Sequence, residues 1–253
     1  MDTFRRLHQA DEPLLLPNAW DFASAAAYVR AGFRAVGTTS LGVAASRGLP
    51  DAAGATGPEA LALARVLVRL PVPVTVDIEA GFGLDPAELA GELTAIGIAG
   101  VNIEDGRGDR IATLDEQCAL IAAFRAAAPD LFINARVDTY WLHLPTDDTT
   151  RRALAYVDAG ADGVFVPGLR DEHRIEELVA TLGETPLNLL AQLPFERLGE
   201  LGVRRVSTGS SPFRVAITQA AAAVTAYATG APTPAAMSYD EAQALTDDVN
   251  VSR

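Results

Sequence analysis

The chain has 253 residues, 49% of them hydrophobic, which is enough to form one large α/β barrel or two small domains. Its formal charge of −13, from 33 acidic and 20 basic residues, argues against a nucleic-acid-binding surface, because such surfaces must neutralise phosphates. All 20 basic residues are arginine. The absence of lysine excludes Schiff-base aldolases, pyridoxal phosphate enzymes and phosphate loops that carry a lysine.

Cysteine content and hydropathy predict a cytoplasmic protein. Cys118 is the only cysteine, so the chain has no internal disulfide and suits a reducing compartment. No apolar run reaches the length of a membrane span, and the first residues lack the apolar core of a signal peptide. We therefore expect neither a membrane nor a nucleic acid as a partner. Cys118 has apolar neighbours on its predicted helical face, which indicates a buried structural residue.

Strand candidates recur along the chain with helical stretches between them. At four junctions, which begin at Gly32, Gly97, Gly160 and Gly202, a glycine ends a helix and a valine four residues later begins an apolar run. The eight predicted strands are 14–18, 35–39, 74–79, 100–104, 132–138, 163–167, 187–191 and 204–209. Eight strand–helix repeats in about 250 residues predict a (β/α)8 TIM barrel.

The end of the chain adds a helix beyond the eightfold repeat. A helix that starts at Ser211 is expected to end before Gly230, and the proline-rich stretch after it is unsuited to a helix. Ser238 then provides the cap of a further helix. The sequence thus predicts a barrel over residues 1–230, followed by a linker and C-terminal helix over residues 231–253.

Three neighbouring strands carry rows of polar residues. Alternation along a strand places every second residue on one face. The polar rows are Asp77 and Glu79, Asn102 and Glu104, and Asn134, Arg136 and Asp138. Because the apolar residues between them should face the helices, we expect the polar rows to face the barrel axis. The carboxyl ends of the strands are where barrel enzymes have their active sites.

Two explanations are open for so many carboxylates in one place. Arg136 could pair with them as a structural salt bridge, or a divalent cation could bind among them. Desolvating several unpaired carboxylates is costly, and one arginine cannot neutralise four of them. Oxygen ligands with retained waters suit Mg²⁺, with Mn²⁺ as an alternative. The metal explanation is therefore favoured.

Six motifs in this order resemble the isocitrate lyase/phosphoenolpyruvate mutase superfamily: LLLPNAWD, GTTSLGVAASRGLPD, VTVDIEAGFG, GVNIEDG, INARVD and GADGVFVPG. The resemblance extends from about Leu14 to Arg214. It implies a (β/α)8 barrel that usually forms tetramers, with the last helix swapped between subunits. It also implies that Mg²⁺ binds an α-oxo acid and stabilises its enolate. We therefore expect a homotetramer, or at least a homodimer.

The resemblance implies a set of metal-site residues by motif. Asp77 would be the closest metal ligand, while Glu79 and Glu104 would act mainly through metal-bound water. Asp51, at the end of the second motif, would lie near the metal as a catalytic residue.

It also implies a substrate site. Backbone N–H groups of Thr39, Ser40 and Leu41 would bind the substrate carboxylate beside Asp77. Arg136 would hold a substrate oxygen or the far end of a dicarboxylate, a role that suits its planar donor fork. Small α-oxo dicarboxylates are therefore expected to bind more tightly than pyruvate.

The chain departs from the resemblance in the loop after the fourth strand. The carbon–carbon lyases carry a Lys-Lys-Cys-Gly-His motif there, whereas this chain has the short stretch GRGDRIA without cysteine, histidine or lysine. Tyr140 and His143 follow the fifth strand, where they could transfer protons or form walls of the site. The other histidines, His8 and His173, are expected to be solvated.

Two functions remain open at this stage. The first is a Mg²⁺-dependent lyase or hydrolase that breaks a carbon–carbon bond in α-oxo acids or their 2-hydroxy-acid precursors. The second is a catalytically weak protein that binds α-oxo acids or regulates another process. The complete metal set favours the enzyme, and the short loop favours the binding protein.

Overall fold

The computed structural model describes residues 2–246, and nine of the strands within them form one parallel sheet. The strands of this sheet are β1 (Leu14–Leu16), β2 (Asn18–Ala19), β3 (Val36–Thr38), β4 (Val74–Asp77), β5 (Gly100–Glu104), β8 (Phe132–Arg136), β9 (Gly163–Phe165), β10 (Leu187–Leu190) and β11 (Arg205–Ser207). A short antiparallel hairpin, β6 (Gly106–Arg107) and β7 (Arg110–Ile111), follows β5. All eight predicted strands are confirmed, since β1 and β2 are the two parts of the first one.

The sheet forms a nearly closed barrel whose two ends are the two parts of the first strand, which is divided at Pro17. β1 pairs with β11, and β2 pairs with β3, so the sheet runs from one half of the first strand round to the other. Around the division, Gly37 N donates to Pro17 O at 2.9 Å, and Thr208 N donates to Leu16 O at 3.1 Å. The predicted TIM-like α/β barrel is therefore confirmed.

Helices alternate with the strands and surround the sheet. They are α1 (Asp2–Leu7), α2 (Phe22–Arg30), α3 (Ser40–Arg47), α4 (Gly57–Leu67), α5 (Pro86–Ile96), α6 (Leu114–Ala127), α7 (Thr149–Asp158), α8 (Glu172–Leu182), α9 (Phe195–Glu200), α10 (Ser211–Thr229) and α11 (Tyr239–Ala244). A 3₁₀ turn, Thr146–Asp148, precedes α7. The predicted junctions are confirmed: Gly97, for example, ends α5 with φ 97°, a conformation that glycine adopts without strain.

The predicted C-terminal helix is present as α11. Ser238 Oγ accepts from Glu241 N at 3.2 Å and caps it. Within the described chain, α11 lies against α2, because Arg30 Nη2 donates to Ala244 O at 2.8 Å and Leu245 is buried. Exchange of this helix between subunits and the division of the chain at residue 230 remain predictions. Residues 247–253 of the predicted C-terminal segment lie outside the described residues.

The main apolar core lies between the strands and the helices. Alternation along the strands directs Val76, Val101, Ile133 and Val206 outward into this core, where each is at most 1% exposed. The predicted polar rows occupy the opposite, axis-facing side toward the carboxyl ends of the strands, whereas Leu14, Leu16 and Phe132 pack with Phe4 in a smaller apolar cluster. None of the described helices is long and apolar enough to cross a membrane.

Helix α1 covers the amino-terminal end of the barrel and corrects the prediction for His8. That histidine is buried and not solvated: its ring stacks on Phe132 at 4.3 Å, and its Nδ1 lies 2.9 Å from Phe4 O. Burial lowers the pKa of His8 to about 3, so the ring is neutral. The sequence pattern does not reveal that α1 folds beneath the barrel. His173 is solvated as predicted, with a side chain that is 79% exposed.

Candidate active site

A cavity of about 360 Å³ opens at the carboxyl end of the strands. Most of the predicted site residues line it. They are Thr39, Ser40, Leu41, Asp51, Asp77, Glu104 and Arg136. The barrel therefore brings four motifs that are distant in sequence to one place. Glu79, Tyr140 and His143 are the predicted site residues that do not line this cavity.

Asp77 ends β4 and faces the start of α3. Its carboxylate accepts from Glu79 N at 3.2 Å and from Ser40 N at 3.4 Å, and its own N–H donates to Thr38 Oγ1 at 2.9 Å. Burial raises the pKa of Asp77 to about 6, although nearby Arg136 acts in the opposite direction. A cation that reaches this carboxylate would stabilise its ionised form.

The start of α3 offers backbone donors to the same part of the cavity. The residue before the helix, Thr39, makes no side-chain cap hydrogen bond. The first N–H groups of a helix have no partner within the helix, so they can bind an anion. Thr39, Ser40 and Leu41 all line the cavity beside Asp77. Thr39 N, however, donates to Ala19 O at 3.1 Å and Ser40 N donates to Asp77, so Leu41 N is the one predicted donor without an acceptor among residues 2–246.

Arg136 is held in one position from several sides. Its Nη1 forms an ion pair with Glu104, and its Nε donates to Asp138 Oδ1 at 2.6 Å. The guanidinium also lies over the rings of Trp141 and Phe165, with 5.6 and 5.7 Å to the ring centres. Two donor groups are thus used, and Nη2 has no acceptor among residues 2–246.

The carboxylates outnumber the cation beside them. Burial raises the pKa of Glu104 well above its usual value, and Asp77, Asp138 and Asp51 raise it further, while Arg136 lowers it. The salt bridges of the structural explanation therefore exist, but they leave an excess of negative charge. A hard divalent cation that keeps several waters would relieve this excess, so the donor chemistry fits Mg²⁺.

Glu79 lies below the cavity wall. Its backbone has a positive φ of 48°, and its carboxylate accepts from Gly54 N at 2.8 Å and from Thr56 Oγ1. These bonds fasten the loop that carries Asp51. Within residues 2–246, no three or more His, Cys, Asp or Glu side chains are arranged to hold a metal ion by themselves. A cation here would need water or a ligand as further donors.

The hairpin β6–β7 takes the place of a long loop after β5. Its base is anchored by Asp105, whose buried carboxylate accepts from Tyr156 Oη at 2.6 Å and from Asp138 N at 2.9 Å. Burial raises the pKa of Asp105 to about 6. Gly106 and Gly108 of the hairpin line the cavity, so this wall offers backbone atoms and no acid–base side chain.

The loop after β8 presents different residues from those predicted. Tyr140 is half-buried and packs against Gly168, and His143 is exposed. Trp141 and Leu142 line the cavity in their place. No periodic signal marks which side chains of an irregular loop point inward.

The floor of the cavity contains a polar network in which Asn102 and Asn134 face the axis as predicted, but sequence reasoning did not single out Arg205. Asn102 lines the floor, and its Oδ1 accepts from Asn134 Nδ2 at 2.9 Å and from Arg205 Nη2 at 3.1 Å. Arg205 is fully buried on the axis-facing side of β11. The sequence signal that could have identified Arg205 is its alternation with Ser207, two residues later, which also lines the cavity.

The geometry defines a barrel with a carboxylate cluster and the start of a helix at the mouth of its cavity. A family model described as phosphoenolpyruvate phosphomutase matches residues 4–228, so the chain belongs to this family and to the PEP mutase/isocitrate lyase superfamily. The resemblance inferred from the six motifs is confirmed.

The relatives include proteins with and without an assigned activity. An uncharacterized protein of Mycobacterium tuberculosis is 45% identical over 250 residues, which cover 97% of this chain and 96% of that protein. The 2-methylisocitrate lyase of Bacillus subtilis is 33% identical over 202 residues, or 75% of this chain and 66% of the lyase. The structure of oxaloacetate acetylhydrolase has a TM-score of 0.87 at 23% identity, covers 96% and 93% of the two chains, and shows the shared fold.

The superfamily comprises lyases, mutases and hydrolases that act on small oxo acids, and its members typically depend on Mg²⁺. The chain is therefore an enzyme of this superfamily. The residues of the site are the basis for proposing which of these reactions it catalyses.

Proposed function

We propose that the protein is a Mg²⁺-dependent lyase or hydrolase that breaks a carbon–carbon bond in small α-oxo acids or 2-hydroxy carboxylic acids. One observation carries the proposal: Asp77, with its raised pKa, lies between the helix start at Ser40 and the Arg136–Glu104 pair. An anionic ligand can approach these carboxylates only if a cation lies between them. Mn²⁺ would serve as an alternative cation.

Asp77 would be the direct protein ligand of the cation. Glu104 and Asp51 also line the cavity, and with Glu79 they would act mainly through water. When bound, the cation would polarise the α-oxo group and stabilise the enolate left as the carbon–carbon bond breaks.

The remaining side chains would bind and orient the substrate. Of the three predicted donors, Leu41 N would take the carboxylate next to the oxo group, since Thr39 N already donates to Ala19 O and Ser40 N to Asp77. Arg136 would donate through Nη2 to a further oxygen, such as a second carboxylate. Because Arg136 is already fixed by its ion pairs and by two aromatic rings, little conformational entropy would be lost on binding.

Proton transfer is the step for which neither predicted loop residue is in place. Tyr140 and His143 would reach the cavity only after a rearrangement of their loop. The short hairpin adds no acid–base side chain of its own to the mouth. This observation favours a second candidate function, a protein that binds α-oxo acids and turns them over weakly.

Calorimetric titration with Mg²⁺ tests the metal site. We expect Asp77→Ala to abolish binding, while the control Asp130→Ala, which removes an exposed carboxylate far from the cavity loops, leaves the affinity unchanged. Equal Mg²⁺ affinity in the wild type and in Asp77→Ala would contradict the assignment.

Proton exchange separates the two candidate functions. An enzyme that stabilises the enolate should exchange the C3 protons of pyruvate or 2-oxobutyrate for deuterium, which NMR detects, and Asp77→Ala should stop the exchange. Tight Mg²⁺-dependent binding without exchange would favour the binding protein.

A further inference from the structure

The floor of the cavity holds an amide group whose orientation is fixed from below. Asn102 is 4% exposed, and its Oδ1 accepts two hydrogen bonds, from Asn134 and from Arg205. A guanidinium can only donate, so the Asn102 atom that faces Arg205 must be the oxygen. The Nδ2 group of Asn102 is consequently turned away from Arg205.

This Nδ2 group has no acceptor among residues 2–246. Asn188 Nδ2 and Arg205 Nη1 also lack a partner there, but they are fully enclosed, whereas Asn102 Nδ2 is not and Asn102 lines the cavity. The Asn102 donor is therefore open to the cavity, and a donor left unused beside a bound ligand would be costly. The unused donor of Asn102 therefore points to an acceptor atom on a ligand.

Arg205 is the second unusual group in the network. It is fully buried and makes no contact ion pair within residues 2–246: Nε donates to Ser207 Oγ at 3.2 Å, Nη2 donates to Asn102, and Nη1 has no partner there. Burial lowers the pKa of Arg205 to about 9, and the charge of the nearby Asp77 carboxylate offsets only part of this effect. Its contacts have one evident effect, which is to fix the groups of the cavity floor.

We infer that Asn102 donates a hydrogen bond to a ligand oxygen beside Asp77 and that Arg205 acts as a positioning residue by holding the Asn102 amide in its donating orientation. β4 and β5 place Asp77 and Asn102 opposite each other in register, so the donor opens next to the carboxylate. The inference rests on the proposed function, since an α-oxo acid supplies the acceptor oxygen at this point.

Oxalate, a rigid analogue of an α-oxo acid, is the probe for the test. Its affinity is measured by calorimetry at saturating Mg²⁺, and Mg²⁺ affinity is measured separately. We expect Asn102→Ala to weaken oxalate about tenfold or more, the effect of one hydrogen bond to a charged ligand, with little change in Mg²⁺ affinity. Thr75→Val is the matched control: Thr75 is similarly buried on the neighbouring strand, its hydroxyl has no partner in the described part of the chain, and it does not line the cavity.

Two further variants protect the test against loss of folding and separate the two roles. Asn102→Asp keeps an acceptor for Arg205 but has no donor, so it should fold but should bind oxalate more weakly than the wild type. Arg205→Met should weaken oxalate severalfold, and Arg205→Lys, which retains a donor, should restore most of the affinity. A merely structural role of Arg205 would not produce this rescue.

The outcomes are distinct. Oxalate affinity that is unchanged in Asn102→Ala, or that falls equally in Thr75→Val, overturns the inference. Unchanged affinity in Arg205→Met overturns the positioning role. If the wild type binds Mg²⁺ but no oxalate, the proposed function fails as well.

Discussion

Replacement of Asp77 by asparagine is expected to stabilise the protein when divalent cations are absent. Burial raises the pKa of Asp77 from 3.8 to about 6. The pKa of Asp77 is thus higher in the folded protein than in the unfolded chain. The protonated carboxyl is tolerated in the fold, so stability is highest below the unfolded-state pKa, and it falls as the pH rises through about 6 and the carboxyl ionises. At 1.36 kcal/mol per pKa unit, the ionised carboxylate costs about 3 kcal/mol at neutral pH.

Asparagine has nearly the same shape and removes this cost. The free energy of unfolding of Asp77→Asn should exceed that of the wild type by about 2–3 kcal/mol near pH 7.5 and by only about 1 kcal/mol near pH 4.5. Urea-induced unfolding in the presence of EDTA measures both differences. Addition of Mg²⁺ at about a thousand times its Kd should reverse the order, because such a ligand stabilises the wild type by about 4.1 kcal/mol and the variant lacks the site.

An exposed carboxylate serves as the control, and Asp130→Asn should change the free energy of unfolding by no more than about 0.5 kcal/mol at either pH. The reasoning is refuted if Asp77→Asn is less stable than the wild type in EDTA at neutral pH. Asp77 would then be a net stabilising partner of Arg136, and the salt-bridge explanation of the carboxylate cluster would be preferred to the metal explanation.

Three other predictions address the packing, the assembly and the ligand. Tyr156→Phe should lower the free energy of unfolding by about 1–3 kcal/mol, because the buried carboxylate of Asp105 loses its 2.6 Å hydrogen bond. Urea unfolding measures this, and no such loss is expected for Tyr227→Phe, since Tyr227 is 85% exposed. Truncation after Gly230 should lower the mass seen by light scattering, and a wild type that is monomeric at micromolar concentration would contradict the predicted oligomer. Arg136→Gln should erase a preference of about tenfold for oxaloacetate and 2-oxoglutarate over pyruvate, and calorimetry showing no such preference in the wild type would disprove the role of Arg136.

Alternation along strands predicted the barrel and much of its site, and it failed where the strands end. Asp77, Glu104 and Arg136 lie within or at the ends of β4, β5 and β8, and all three line the cavity as expected. Glu79 lies two residues beyond β4 with a positive φ of 48°, so the period of two no longer applies to it. Its carboxylate therefore fastens the loop above it and does not join Asp77.

Contacts between distant segments set the second limit. Trp141 follows β8 and Phe165 ends β9, and both rings contact the guanidinium of Arg136. Nothing in the local sequence pattern predicts these contacts. The same holds for His8, whose burial depends on where α1 packs. Arg205 was within reach of the alternation rule, but the rule could not show that its guanidinium would orient Asn102.

The closed base of the β6–β7 hairpin has a consequence for how such an enzyme can diversify. Ala112 N donates to Asp105 O at 2.8 Å, so the two ends of the segment meet at a point that Tyr156 already holds. For a flexible loop whose ends meet, each doubling of length costs only about 0.6 kcal/mol. Insertions at this position can therefore lengthen the covering of the mouth, and bring in new acid–base side chains, while the barrel below keeps its structure. The hairpin is a natural place for evolution, or for a protein engineer, to exchange one chemistry for another.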